Sequence, residues 1–176
     1  MVIAKLPIAD DEKSGSVIVY LDHSICFGEV IVKKAIRIST WLRTNSAPDN
    51  FCVYNARIIN AQNAAARPVA FSQTYIYTHN VLGFHLAPPT FDPPDYDPTE
   101  KNRVLAPVQV DFGSYHIQGH FRIAASANVG KFLEVNREVF SSIYDAEITC
   151  PSIPSLGVIR VPNLIVRQAS CTFSLT

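Results

Sequence analysis

The chain has 176 residues, 48% of them hydrophobic and 17% charged, with 15 Lys and Arg against 15 Asp and Glu. That balance supplies apolar mass for a core, and it excludes both a largely disordered chain and a global positive field drawing it to nucleic acid or an anionic membrane. No apolar run approaches the roughly 20 residues a membrane-spanning helix needs, and four cysteines without C-x-x-C spacing imply reduced thiols instead of a disulfide scaffold.

Residues 1–16 read as an N-terminal extension of the mature chain, because Met1 to Asp10 lack the long apolar stretch and cleavage site of a secretory signal. Cytoplasmic placement is therefore expected, with no membrane association. Val17 to Leu21 alternate or are β-branched and predict a strand. After a tight turn at Asp22-His23, Cys26, Gly28, Val30 and Val32 share one face of a second strand. The period then changes: Ile38, Trp41 and Leu42 sit at i, i+3 and i+4, which predicts a helix of one to two turns. Three further strands are expected over Phe51 to Ile59, Val69 to Thr78 and Val81 to Leu86.

The same order then returns. A single shift carries Val17, Val19, Gly28, Val30 and Val32 onto Val108, Val110, Gly119, Phe121 and Ile123, and Ile38, Trp41, Leu42 and Asn45 onto Val129, Phe132, Leu133 and Asn136. After a one-residue slip Val53-Tyr-Asn-Ala-Arg-Ile58 matches Ile143-Tyr-Asp-Ala-Glu-Ile148, and a further slip aligns Ile76, Phe84 and Leu86 with Ile165, Phe173 and Leu175. Self-similarity of this kind marks a duplicated structural unit. The chain therefore divides into a first module at 17–86, a proline-rich acidic linker at 87–107 and a second module at 108–176. The predicted fold is all-β: two tandem small five-stranded, partly closed barrels, each with one short helix after the second strand. Closure of such barrels disposes of unpaired strand edges, and a glycine inside the second strand of both copies suits a close backbone approach.

Gly28-x-Val-x-Val, Arg37-Ile-Ser-Thr-Trp-Leu-Arg-Thr-Asn45 and Phe51-Cys-Val-Tyr-Asn-Ala-Arg-Ile58 together resemble small uncharacterised bacterial domains with an Sm-like β-barrel, here in tandem. The resemblance covers about half of each module, implies the barrel fold and carries no activity. The second copy departs from the motif, with Asn128 for the Arg and Gly130 for the Ser.

No catalytic set, metal site or cofactor motif is expected. His116 and His120 lie four apart on a strand, about 13 Å from each other, too far to share one ion. There is no G-x-S-x-G elbow, P-loop or G-x-G-x-x-G. The recurring polar positions Asn45, Asn136, Asn55 and Asp145 suit side-chain hydrogen bonds that tie turns. The candidate binding surface is Tyr75 and Tyr77 with Lys33, Lys34 and Arg37. The expected role is a non-catalytic binding or assembly module for a protein partner or for self-association into a homo-oligomer. The alternatives are single-stranded nucleic-acid binding through the first module and an enzyme whose site gathers His79, His85 and Asn136 between the modules.

Overall fold

Alternating side chains build the first hairpin. In the computed structural model, which describes residues 5–44, 47–63, 65 and 67–175, β1 (Glu12–Tyr20) and β2 (Ser24–Lys33) pair antiparallel from Glu12 opposite Lys33 to Tyr20 opposite Ile25. Val17, Val19, Cys26, Val30 and Val32 turn inward and are buried. A turn of 3-10 helix at Trp41–Arg43 follows, then β3 (Asn50–Asn60), β4 (Val69–Tyr77) and β5 (Gly83–Leu86). The second half repeats this as β6 (Arg103–Phe112), β7 (Tyr115–Ala124), the helix α1 (Val129–Val135), β8 (Phe140–Thr149), β9 (Ile159–Arg167) and β10 (Thr172–Ser174). No helix among the described residues is long and apolar enough to cross a membrane.

The repeat extends to the irregularities. β2 and β7 each meet the following strand across a bulge, between Phe27 and Glu29 and between Gln118 and His120. The equivalent residues Asn55 and Asp145 both adopt φ 49° there, a left-handed conformation that Asn and Asp tolerate better than most side chains. A Cβ on Gly28 would lie 2.6 Å from the Tyr54 carbonyl oxygen, and one on Gly119 would lie 3.0 Å from that of Tyr144. Both positions therefore require glycine for the same close approach.

The expected pair of partly closed barrels is not what forms. All ten strands belong to one open antiparallel sheet in the order β10-β6-β7-β8-β9-β5-β1-β2-β3-β4. The reason lies in β5, which pairs with β1 on one side and with β9 of the other repeat on the other. The pairing that would close the first barrel on its own β4 is thereby spent on the second repeat. The helices also differ from expectation, since the first copy has only the 3-10 turn and the second has α1. The Asn128 side chain caps α1 by accepting from the Lys131 amide at 2.8 Å, whereas Thr40 before Trp41 makes no such bond. The first strand of each repeat starts earlier than the alternation alone predicts, β1 at Glu12 and β6 at Arg103.

Each half of the sheet gathers its own apolar cluster, and each cluster borrows from the other repeat. The first holds Val17, Val53, Ile76 and Phe84 together with Phe140 and Ile165. The second holds Val110, Phe112, Ile117 and Leu164 together with Tyr20, Ile25 and Ala61. The linker is a strap bound to both halves. Ser16 donates its amide to Thr90 Oγ1 at 2.7 Å, Ser39 donates its amide to Asp92 Oδ2 at 2.8 Å, and Asp95 takes bonds from Arg43 and Tyr144. Tyr96 packs edge-on to Tyr144 with the Arg122 guanidinium 4.5 Å over its ring.

Candidate functional site

The seam between the repeats is a built interface. Gly83 stands opposite Val166 and Phe84 opposite Ile165, and a Cβ on Gly83 would lie 2.8 Å from the Ile165 carbonyl oxygen. The Arg167 amide extends the ladder to the Leu82 carbonyl at 2.8 Å. The Arg167 guanidinium donates to the Val81 and Thr78 carbonyls and lies 4.5 Å over the Phe140 ring, with burial lowering its pKa. On β9 the side chains divide: Leu164 and Val166 join the cluster of their own repeat, while Ile165 between them enters the cluster of the first.

The strand equivalent to β9 is β4, and it has no such partner among the described residues, where it ends the sheet. Register fixes the correspondence. Phe51 pairs with Ile76 as Ser141 pairs with Val166, so Ile76 answers to Val166, Tyr75 to Ile165 and Tyr77 to Arg167. This corrects by one residue the match of Ile76 to Ile165 drawn from sequence. Ile76 is buried, and Tyr75 and Tyr77 on either side are 68% and 56% exposed, with Val69 and Phe71 of the same strand also exposed. The candidate tyrosines thus occupy a long, open sheet edge that carries exposed apolar side chains at both ends and Ser72-Gln73-Thr74 between them.

The three candidate cations are engaged by neighbours of their own. Lys33 Nζ lies 2.9 Å from Asp11 and 3.1 Å from Glu12, holding the Asp11 carboxyl below its usual range through that hydrogen bond. Lys34 donates to the Asp10 carbonyl at 2.6 Å, and Arg37 donates to the strap carbonyls of Pro93 and Pro94. Of the recurring polar positions, Asn45 lies outside the described residues. Asn136 ends α1, with its amide bonded to the Phe132 carbonyl, Nδ2 donating to Ser141 Oγ at 3.0 Å and Oδ1 accepting from the Glu138 amide at 3.1 Å. Asn55 Nδ2 donates to Glu29 Oε2 at 3.0 Å across the bulge.

A wide basin of about 930 Å³ opens between the repeats, lined from the first by Arg43, Asp49 and His79 and from the second by Arg137, Glu138 and Arg167. It does not gather the three residues named for an inter-module enzyme. His79 lines it, His85 is buried elsewhere against Tyr20, and Asn136 is not on its wall. Among the described residues no group of three His, Cys, Asp or Glu is placed to hold a metal ion. The free edge and the seam it resembles were missed by sequence reasoning, although the repeat itself carried the signal. Comparison with protein-family models, with curated proteins and with solved structures finds no match.

Proposed function

We propose that the chain is an assembly module whose copies join head to tail, β10 of one to β4 of the next. The observation that supports this most directly is the environment of Ile165. It is buried in the core of the neighbouring repeat and only 1% exposed, while its repeat equivalent, Tyr75, is 68% exposed on the free edge. The strand that covers Ile165 is β5, whose own equivalent, β10, ends the sheet at the far side. Transferring the internal register sets Phe173 opposite Tyr75 and Thr172 opposite Ile76. A nine-residue edge left bare, with Val69, Phe71, Tyr75 and Tyr77 exposed along it, is a template for pairing, and a heterologous contact of this kind yields closed rings or open filaments.

Single-stranded nucleic acid is the second reading, supported by the exposed tyrosines. It is the weaker one, because Lys33, Lys34 and Arg37 are tied to the N-terminal acidic run and the strap. Light scattering after size exclusion tests the choice. The expected result is a mass several times that of one chain, falling to one chain in Tyr75→Asp with an unchanged circular dichroism spectrum. A monomeric native protein that binds oligonucleotides with steep salt dependence would overturn the assembly reading.

A further inference from the structure

Between the strap and the inter-repeat seam lies a cavity of about 420 Å³, lined by neither free edge. Its size falls within the range of small-molecule sites. Phe84 and Ile165 come from the seam, Tyr144 from β8, and Phe91 and Tyr96 from the strap, whose prolines extend the apolar lining. Phe91 is 73% exposed, a large aromatic that the strap presents without burying.

The ionic groups around the cavity are matched by neighbours, with one exception. Arg160 is paired with Glu147 at 2.8 Å. Asp92 accepts the Ser39 amide at 2.8 Å, and Arg37 donates to the adjoining carbonyls of Pro93 and Pro94. His85 bonds the Leu86 carbonyl through Nδ1 and the Tyr20 hydroxyl through Nε2, and burial disfavours its cationic form. Asp145 is the exception: it stands on the wall, is exposed, and has no hydrogen bond or ion pair among the described residues. The repeat shows that the fold does not need its charge. Asn55, its equivalent, holds the same φ of 49° and donates to Glu29 across the bulge. His120 takes the place of Glu29 in the second repeat and makes no bond to Asp145. A carboxylate thus stands beside an apolar cavity where the backbone asks only for Asn or Asp.

We propose that this cavity binds a small hydrophobic amine, its apolar body between the strap and the seam and its ammonium on the Asp145 carboxylate. The charge complementarity selects the class. An anion would meet Asp145 as a like charge while Arg160 is held by Glu147, and a neutral molecule would leave the carboxylate unused. An ammonium gains a charge-assisted hydrogen bond there and attraction to an aromatic face such as that of Phe91. Because Asp145 is exposed, solvent screens that bond. Burial of the apolar body therefore supplies most of the affinity, and Asp145 sets the preference for positive charge. Phe84 belongs to the first repeat, and Ile165 and Asp145 to the second, so a bound molecule spans the seam beneath the strap.

Three probes of one shape and different charge test this on the full chain by equilibrium dialysis at low salt: 1-naphthylmethylamine, 1-naphthylmethanol and 1-naphthoate. The amine should bind saturably, the alcohol about threefold to tenfold more weakly, as expected of one partly screened charge-assisted bond, and the carboxylate more weakly still. Asp145→Asn, which installs the residue that the first repeat carries at the same φ, should bring the amine to the level of the alcohol and leave the alcohol unchanged. Phe91→Ala should weaken amine and alcohol alike, severalfold, with thermal melts showing that both variants are folded. On the native chain alone, absence of saturable amine binding, or an alcohol or carboxylate that binds as tightly as the amine, would overturn the proposal. An amine preference that survives in folded Asp145→Asn would remove Asp145 from the site, and unchanged binding in folded Phe91→Ala would place the probes outside this cavity; either result also overturns it.

Discussion

Removing the Asp95 carboxylate should loosen the strap from both repeats at once. Its oxygens accept from Arg43 Nη1 at 2.8 Å, from the Tyr144 hydroxyl at 2.7 Å and from Ser142 Oγ at 3.3 Å, and its side chain is only 13% exposed. Arg43 comes from the first repeat, and Tyr144 and Ser142 from the second. In Asp95→Ala the guanidinium keeps Glu138 at 2.7 Å and Ser142 at 3.0 Å, so no buried cation is abandoned. The Tyr144 hydroxyl, held protonated by burial and by Asp95, loses its acceptor. One charge-assisted bond lost and one phenol unsatisfied give about 2 to 4 kcal/mol. At this chain length each kcal/mol moves Tm by about 2–4 °C. The assay is urea unfolding followed by the fluorescence of the single tryptophan, Trp41, which lies in the first repeat's core. Limited proteolysis of the strap should accelerate in parallel. A loss below about 0.5 kcal/mol, the range of ordinary surface substitutions, would refute the reasoning, as would strict additivity of Asp95→Ala with Tyr144→Phe.

Trp41→Ala should cost about 3 to 5 kcal/mol in urea melts followed by far-UV circular dichroism, which does not need the tryptophan, because the ring is buried and packs edge-on to Phe51 at 4.8 Å. Phe132→Ala, partly buried against Phe121 at 4.9 Å, should cost about 2 to 3 kcal/mol. Gly83→Val should cost at least about 1 to 3 kcal/mol, since its Cβ would meet the Ile165 carbonyl oxygen at 2.8 Å, whereas Thr172→Val at the equivalent exposed position should stay within about 0.5 kcal/mol; equal effects would sever the two positions. His85 gives the pH dependence. Its folded pKa is depressed by burial from 6.5, so below about pH 6.5 the unfolded chain takes up a proton that the folded chain refuses, and stability falls as pH drops from 7 to 5. His85→Gln should flatten that slope in urea midpoints taken across this range, and an unchanged slope would exclude His85 as its source.

The strands were legible because one face of each is buried and the other is not. Val17, Val19, Cys26 and Val30 alternate with half-exposed residues, and the copy at Val108 to Ile123 repeats the pattern. The strand ends were not legible. Glu12 to Ser16 is polar and glycine-containing, yet it pairs residue for residue with Glu29 to Lys33, since the backbone ladder does not depend on side-chain polarity. The helical stripe was read alike in both copies, but only Asn128 offers a cap; its equivalent, Arg37, reaches to the strap instead. Barrel closure could not be read at all. Whether β5 returns to β4 or crosses to β9 is a choice between partners far apart in sequence, and the residues that mark it, Gly83 and Ile165, look like ordinary strand residues.

Those residues also distinguish the seam within the chain from the one proposed between chains. Inside, Gly83 admits the Ile165 carbonyl, Ile165 fills the neighbouring core, and Arg167 clamps the 78–81 turn through two carbonyls. At the free edges the equivalents are Thr172, Tyr75 and Tyr77. Thr172 carries the Cβ that the close approach excludes, and Tyr77 has one hydroxyl where Arg167 brings a guanidinium fork. The aromatic pair of Tyr75 with Phe173 supplies area at low entropic cost but without the clamp. The proposed inter-chain seam is therefore the weaker of the two, and it forms against the loss of translational freedom that the internal one never bears. Dilution should separate the copies while each chain stays folded, so the mass by light scattering should fall at concentrations where the Trp41 fluorescence is unchanged. Coincident loss of mass and of native fluorescence would show instead that the edges are part of the folding unit.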